Sequence, residues 1–194
     1  MDINKLVEVI NSGGLAIVPT DTVYGIIADA TNEKAIKKVY EAKRRDYSKP
    51  LIIMVSSIEM LYKYVDGVSG LEKRIINKYW PGKLSIIFKK SNRLPSCINS
   101  KGDSIAIRYP DNKELIELMN ILDKPLVSTS ANLAGEETIT SVDKINFELL
   151  EYIDYIYDDG FKENVPSTII RVNNDNIEFL RKGDLSLMIE RDFK

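Results

Sequence analysis

The sequence predicts an α/β fold, a twisted mixed parallel and antiparallel sheet flanked by helices. Three observations carry that expectation. Apolar residues switch repeatedly between helical spacing and short continuous runs. The run Leu51–Val55 is apolar throughout, as a strand buried on both faces requires. Thr168–Val172 and Ile177–Leu180 read as strands joined by an Asn-rich turn at Asn173–Asn176, an antiparallel hairpin that makes the sheet mixed.

The elements follow in order. Leu6, Val7 and Ile10 fall at helical spacing behind an Asp2 cap, and Gly13-Gly14 stops that helix. Leu15–Val18 is a short buried strand ending at Pro19, and Gly25–Ala28 a second. Thr31 or Asn32 caps a helix carrying Ala35, Ile36, Val39, Tyr40 and Lys43. After the strand Leu51–Val55 come helical stretches at Ile58–Val65 and Leu71–Tyr79, the second ended by Pro81-Gly82. Leu84–Phe88 and Ser104–Ile107 are strands, and Asp111 caps a helix through Leu122. Leu126-Val127 opens a short strand running into a Ser/Thr loop, Ser141 caps another helix, and Tyr155–Tyr157 is a strand. No repeat, low-complexity segment or linker divides the chain, so residues 1–194 are expected to form one domain.

Composition removes whole classes of function. The chain has no histidine, which excludes a Ser-His-Asp triad, a Cys-His pair and a typical zinc site. Its net charge of −2 gives no support for broad nucleic-acid binding and leaves room only for a local basic concavity. The single cysteine, Cys97, forbids an internal disulfide, and with no signal peptide the expected location is cytoplasmic. No apolar run approaches the ~20 residues that span a bilayer, so no membrane association is expected.

What chemistry the chain performs must rest on carboxylates, cations, hydroxyls and backbone groups. Pro19-Thr20-Asp21-Thr22-Val23-Tyr24-Gly25 follows a buried strand, where ligands bind in open α/β sheets. A turn in which Thr and Asp cap backbone groups accounts for it as well. Lys43-Arg44-Arg45 closes a predicted helix, with Tyr40, Lys43 and Arg44 on or beside one face. These cations suit phosphate or carboxylate, or simply a helix C-terminus. Ser128-Thr129-Ser130-Ala131-Asn132 places small hydrogen-bonding side chains behind an apolar strand. Arg108 and Arg181 each follow a predicted strand. No Gly-x-x-x-x-Gly-Lys-Ser/Thr loop occurs, so any nucleotide is held by another arrangement.

Taken together, these segments resemble the YrdC-like threonylcarbamoyl-AMP synthase family from about Gly13 to Gly183. Its pieces stand in family order: Gly13-Gly14, the Pro19–Gly25 stretch, the Lys-x-Arg of Lys43 and Arg45, Lys49-Pro50-Leu51-Ile52, and Trp80-Pro81-Gly82-x-Leu84. Ile105–Pro110, the Ser-x-Asn of Ser130 and Asn132, Pro166-Ser167-Thr168 and Leu180-Arg181-x-Gly183 complete the order. The resemblance implies a large concave or tunnel-like site and a nucleotidyltransferase reaction. L-threonine, bicarbonate and ATP would give threonylcarbamoyl-AMP and pyrophosphate, and the product would supply threonylcarbamoyladenosine formation in tRNA.

By the same resemblance, Lys43, Arg45, Ser130 and Asn132 would carry the chemistry. Thr20, Thr22, Tyr24, Arg108, Ser130 and Ser167 would bind threonine or its carbamate. Lys43, Arg45, Ser104, Asn132, Thr140 and Arg181 would bind ATP. Mg²⁺ would arrive on the ATP phosphates, with no metal caged by the protein. Any tRNA binding would be weak, and a separate threonylcarbamoyl transferase complex would take the product. The chain departs from the family at three places: Met54 where many relatives carry histidine, Asp46 where proline is usual, and Asp159 in a thinner Gly-rich stretch. The competing reading is a double-stranded RNA or tRNA-binding module without turnover.

Overall fold

The computed structural model describes residues 1–161, 166–174 and 176–193. In chain order the elements are α1 (Ile3–Asn11), β1 (Ala16–Pro19), β2 (Tyr24–Asp29), α2 (Glu33–Ala42), β3 (Ile52–Met54), α3 (Ile58–Tyr64) and α4 (Gly70–Tyr79). There follow β4 (Leu84–Lys89), β5 (Ser104–Arg108), α5 (Lys113–Leu122), β6 (Leu126–Ser130), α6 (Phe147–Leu150), β7 (Tyr155–Ile156), β8 (Thr168–Asn173), β9 (Asn176–Arg181) and α7 (Ser186–Asp192).

The strands among the described residues form a single sheet in the order β7-β1-β2-β6-β3-β5-β4-β8-β9. It is mixed, as expected: β1/β7, β3/β5 and β4/β8 run parallel, and the remaining neighbours antiparallel. The hairpin β8–β9 is present, and Asp175 of its turn lies outside the described residues.

Both faces are covered because side chains alternate along each strand. Leu15, Ile17, Ile26, Ala28 and Ile53 point into a large core shared with α2, α3 and α4. Ala16, Val18, Ile27, Met54 and Leu126 point the other way, beneath Leu6 and Ile10 of α1 and Leu115, Leu118 and Met119 of α5. The second face is covered over only part of its width, and the change is written in the side chains. Along the same pleat, Gly25, Ser128 and Ser130 replace large apolar residues where α1 and α5 no longer shield the sheet.

Helix ends follow local chemistry, with three departures from expectation. The carboxylate of Asp2 accepts from Lys5 N, and Asn32 rather than Thr31 caps α2. At α5 the cap is Asn112, whose Oδ1 accepts from Leu115 N at 3.0 Å. Asp111 is drawn outside the helix, its N–H facing Asp21 Oδ2 at 3.4 Å. Ser141 precedes only a 3-10 turn, Val142–Lys144, and the α-helix there is capped by Asn146 five residues later. The last departure is at α2, which stops at Ala42, so that Lys43, Arg44 and Arg45 are not on a helical face.

The bonds Arg44 N→Glu41 O and Arg45 N→Tyr40 O, both 2.9 Å, form a Schellman turn. Arg44 takes its left-handed position with φ of 49°. That turn sends Lys43 and Arg45 inward and Arg44 outward.

Candidate active site

Beyond the cover of α1 and α5 the sheet face opens into a cavity of about 510 Å³. Its floor follows ladder register. Ser128 pairs with Ile52, Ile52 with Ala106, and Ala106 with Ile87, so four adjacent strands send one residue each to the same face. Gly25 lets the first-motif turn approach closely beside it. A Cβ there would stand 3.1 Å from Thr20 Cγ2, against the turn that forms one wall.

The cavity walls carry Arg45, Lys49, Arg108 and Arg181, the hydroxyls of Thr20, Thr22, Ser48, Ser128, Ser130, Thr138 and Ser167, and no carboxylate among the described residues. The centre is Arg108, at the end of β5 and 4% exposed. Its guanidinium donates to Thr22 Oγ1 at 3.2 Å and to Met54 Sδ at 3.8 Å, and lies 3.2 Å from Asp21 Oδ1. Burial pulls its pKa down and Asp21 opposes that, but an arginine this basic stays charged. Opposite it, Arg181 donates to Ser167 O at 2.7 Å and to Ser167 Oγ at 2.8 Å, which fixes the entry to β8.

Lys43 is placed differently from its neighbours. It is 2% exposed and does not line the cavity. Its Nζ donates to the carbonyls of Ser130 and Asn132, each at 2.5 Å. The reverse tie, Ala134 N→Lys43 O at 2.9 Å, closes the link between the two sequence motifs. Arg45 does line the cavity, braced by Lys49 O at 3.1 Å and Pro50 O at 3.0 Å. Its loop closes without the usual proline because Asp46 Oδ1 accepts from Ser48 N at 2.7 Å. Arg44 is a surface residue paired to Glu148 at 2.7 Å.

The structure thus brings Thr20, Thr22, Arg45, Arg108, Ser130, Ser167 and Arg181 of the expected residues around one cavity. Within it, Thr20 Oγ1 is occupied by its own turn, donating to Val23 O and accepting from Thr22 N and Val23 N. Lys43 and Asn132 stand behind the wall. Asn132 Nδ2 donates to Leu133 O and Glu136 O, and its Oδ1 has no partner among the described residues. Tyr24 is fully buried, and its hydroxyl donates to Gly160 O at 2.7 Å and accepts from Asp159 N at 2.9 Å. Ser104 shares the face of Arg108 but lies ~13 Å along the strand, in an adjoining recess with Lys89 and Arg171. Thr140 lies outside the wall and accepts from Lys144 at 3.4 Å. Asp21, Ser48 and Thr138 were not singled out by the sequence, though Asp21 sits inside the first motif.

Burial and the charge of Arg45 push the Lys43 amine down from 10.5 to about 7. A base whose folded-state pKa is depressed loses stability as pH falls toward that value, and regains it as only the unfolded state stays protonated. Thermal stability is therefore expected to rise as pH climbs from about 7 toward the 10.5 of the unfolded chain. Lys43→Met should flatten that rise, read by thermal unfolding at each pH.

A mixed α/β sheet that leaves a guanidinium- and hydroxyl-lined hollow on one face defines a binder of small anionic molecules. The chain belongs to the Sua5/YciO/YrdC family, whose model, described as telomere recombination, matches residues 8–183. A protein of Methanocaldococcus jannaschii named putative threonylcarbamoyl-AMP synthase is 45% identical over 91% of this chain and 82% of its own length. The threonylcarbamoyl-AMP synthase of Pyrococcus abyssi is 32% identical over 92% of this chain, which spans about half (53%) of that longer protein. Among solved structures, Pyrococcus abyssi Sua5 complexed with L-threonine matches with a TM-score of 0.90 at 30% identity, covering 97% of this chain and 56% of that one. Escherichia coli YciO matches with a TM-score of 0.85 at 26% identity, covering 95% and 91%.

Proposed function

We propose that this chain is a threonylcarbamoyl-AMP synthase, joining L-threonine, bicarbonate and ATP and releasing pyrophosphate. The observation that carries the reading is the tie from Lys43 to the Ser130 and Asn132 carbonyls, behind the wall of a cavity that no carboxylate lines among the described residues. It couples the two motifs that distinguish this activity by resemblance. Relatives bearing that name, and a related structure holding L-threonine, support it.

The chemistry divides into two steps. The threonine nitrogen attacks bicarbonate carbon and water leaves, giving a carbamate. A carbamate oxygen then attacks the α-phosphorus of ATP and pyrophosphate departs. Every partner carries an anionic group, the carboxylate of threonine, bicarbonate and the ATP phosphates, so the protein's task is orientation and charge neutralisation. Arg108, Thr22, Ser130 and Ser167 are assigned to threonine and its carbamate. Arg45, Lys49 and Arg181 are assigned to the phosphates. The apolar floor of Ile52, Ala106, Ile87 and Ile169 keeps water from the labile carbamate.

Magnesium would arrive with ATP. Among the described residues no group of three or more acidic, cysteine or histidine side chains is placed to hold a metal, and the walls offer hydroxyls and cations. No described helix is long and apolar enough to cross a membrane. Transfer of the product to a tRNA adenosine is left to other proteins, and direct RNA binding should be weak and steeply salt-dependent.

The test is pyrophosphate release with each substrate omitted in turn. Release should require threonine and bicarbonate together, and release that ignores threonine defeats the proposal. Tight RNA binding without turnover would favour the RNA-binding reading. In the same assay, Arg45→Ala should raise the KM for ATP by about tenfold or more, for one lost charge-assisted contact. Arg44→Ala should stay near wild type, because its guanidinium faces Glu148 on the surface.

A further inference from the structure

We propose that Asp21 is a positioning residue that sets the orientation of Arg108, and through it the affinity for the amino-acid carboxylate. The inference rests on the synthase reading above and adds a residue to which that reading gives no role.

The argument begins with isolation. Arg108 is a buried cation on a sheet face, and a buried guanidinium needs its donors directed. Asp21 is its one ion-pair partner among the described residues, with both side chains nearly closed to solvent, 5% and 6% exposed. The other contacts are weak or neutral, a threonine hydroxyl and a thioether sulfur. Arg108 Nε has no hydrogen-bond partner among the described residues. Among the described residues Asp21 is thus the one charged group that holds the fork.

Asp21 is well placed to do so. Its Oδ1 meets Arg108, while its Oδ2 faces Asp111 N at 3.4 Å, three residues beyond that arginine. One carboxylate therefore clasps both the side chain and the following backbone of the β5 exit. Asp21 does not line the cavity, whereas Thr20, Thr22 and Arg108 around it do. It acts on the substrate only through Arg108. Oδ1 has no hydrogen bond of good geometry, so the pair is electrostatic and leaves guanidinium N–H groups for an incoming carboxylate.

A purely structural ion pair would make a different prediction. Its loss would lower stability and depress every kinetic constant together. An orienting pair should affect one substrate selectively.

The experiment measures pyrophosphate release by wild type, Asp21→Asn and Asp21→Glu, with KM determined separately for L-threonine and ATP and unfolding followed by circular dichroism. Asp21→Asn removes the charge and is expected to raise the KM for threonine by roughly tenfold or more, with the KM for ATP changed by less than about twofold. Asp21→Glu keeps the charge but moves it by one methylene. It is expected to give a smaller rise of roughly threefold, again for threonine alone. Should Asp21→Asn fail to fold, Asp21→Glu decides. Unchanged threonine KM in a folded variant, or parallel rises for both substrates, overturns the positioning role. A wild type that releases no pyrophosphate with threonine overturns the synthase reading itself and this inference with it, and the two failures are thereby told apart.

Discussion

Lys43→Ala is expected to remove nearly all turnover, by about a hundredfold or more, although the amine does not reach the cavity. The cause is positional. Its Nζ holds two carbonyls, Ser130 O and Asn132 O, that lie 87 and 89 residues away in sequence. Truncation leaves both carbonyls without this donor in a buried place, at about 1–3 kcal/mol for each that water cannot reach. The Ser-x-Asn loop is then free to move by the fraction of an ångström that orientation cannot tolerate. Both KM values and kcat should change together, unlike the ATP-selective effect of Arg45→Ala. Lys43→Met is the informative companion, because it keeps the apolar stem and removes only the donor. Steady-state pyrophosphate release with thermal unfolding separates these outcomes. A folded Lys43→Met with near-normal turnover would show that the tie is dispensable.

The order of elements was legible because each rests on local patterning. The apolar run Leu51–Val55, the Asp2 cap and the Gly13-Gly14 stop are all written within a few residues of where they act. Gly13 takes a φ of 80°, as the end of α1 requires. What was not legible depends on distant partners. Asp111 and Asn112 are equally good caps by residue type, and the contacts that distinguish them are distant ones, Asp111 N to Asp21 Oδ2 and Asn112 Nδ2 to Pro19 O. Helix α7 has no side-chain cap and buries only Ser186 and Ile189, so neither start signal nor periodicity announces it.

The site shows the same division. The motifs identified which segments converge, because each follows a strand and sheet topology brings strand ends together. They did not reveal which way the side chains point. Lys43 reads as a phosphate ligand until the Schellman turn at Arg44 is seen to drive it into the backbone of another loop. Tyr24 reads as a pocket residue, yet its hydroxyl ties down Asp159 and Gly160 from beneath. The departures at Met54 and Asp46 likewise gain a physical account only from their partners, the Arg108 guanidinium and the Ser48 amide.

Gly183→Ala should damage the site without altering any side chain in it. An added Cβ would lie 2.7 Å from Pro166 O, 2.9 Å from Thr168 N and 3.0 Å from Thr168 Oγ1. Two of these atoms are backbone, so no side chain can swing aside to relieve the clash. They also flank Ser167, whose carbonyl and hydroxyl both accept from Arg181 and whose Oγ stands 3.2 Å from Ser85 Oγ. Overpacking of this kind costs about 1–3 kcal/mol. Here part of that strain should appear as displacement of Ser167 and Arg181, with lowered turnover in a protein that still folds. Gly70→Ala is the control. It lies in the first turn of α4 with nothing within 4 Å of the new methyl. It should therefore stabilise by about 0.4–1 kcal/mol through the unfolded chain and leave turnover unchanged. Unfolding midpoints should fall for Gly183→Ala and rise for Gly70→Ala, with pyrophosphate release lowered only in Gly183→Ala. If turnover survives Gly183→Ala at the wild-type level, Ser167 is not the constrained point of the site. If Gly70→Ala loses activity, a methyl far from the cavity has the same effect, and the argument from close backbone approach fails.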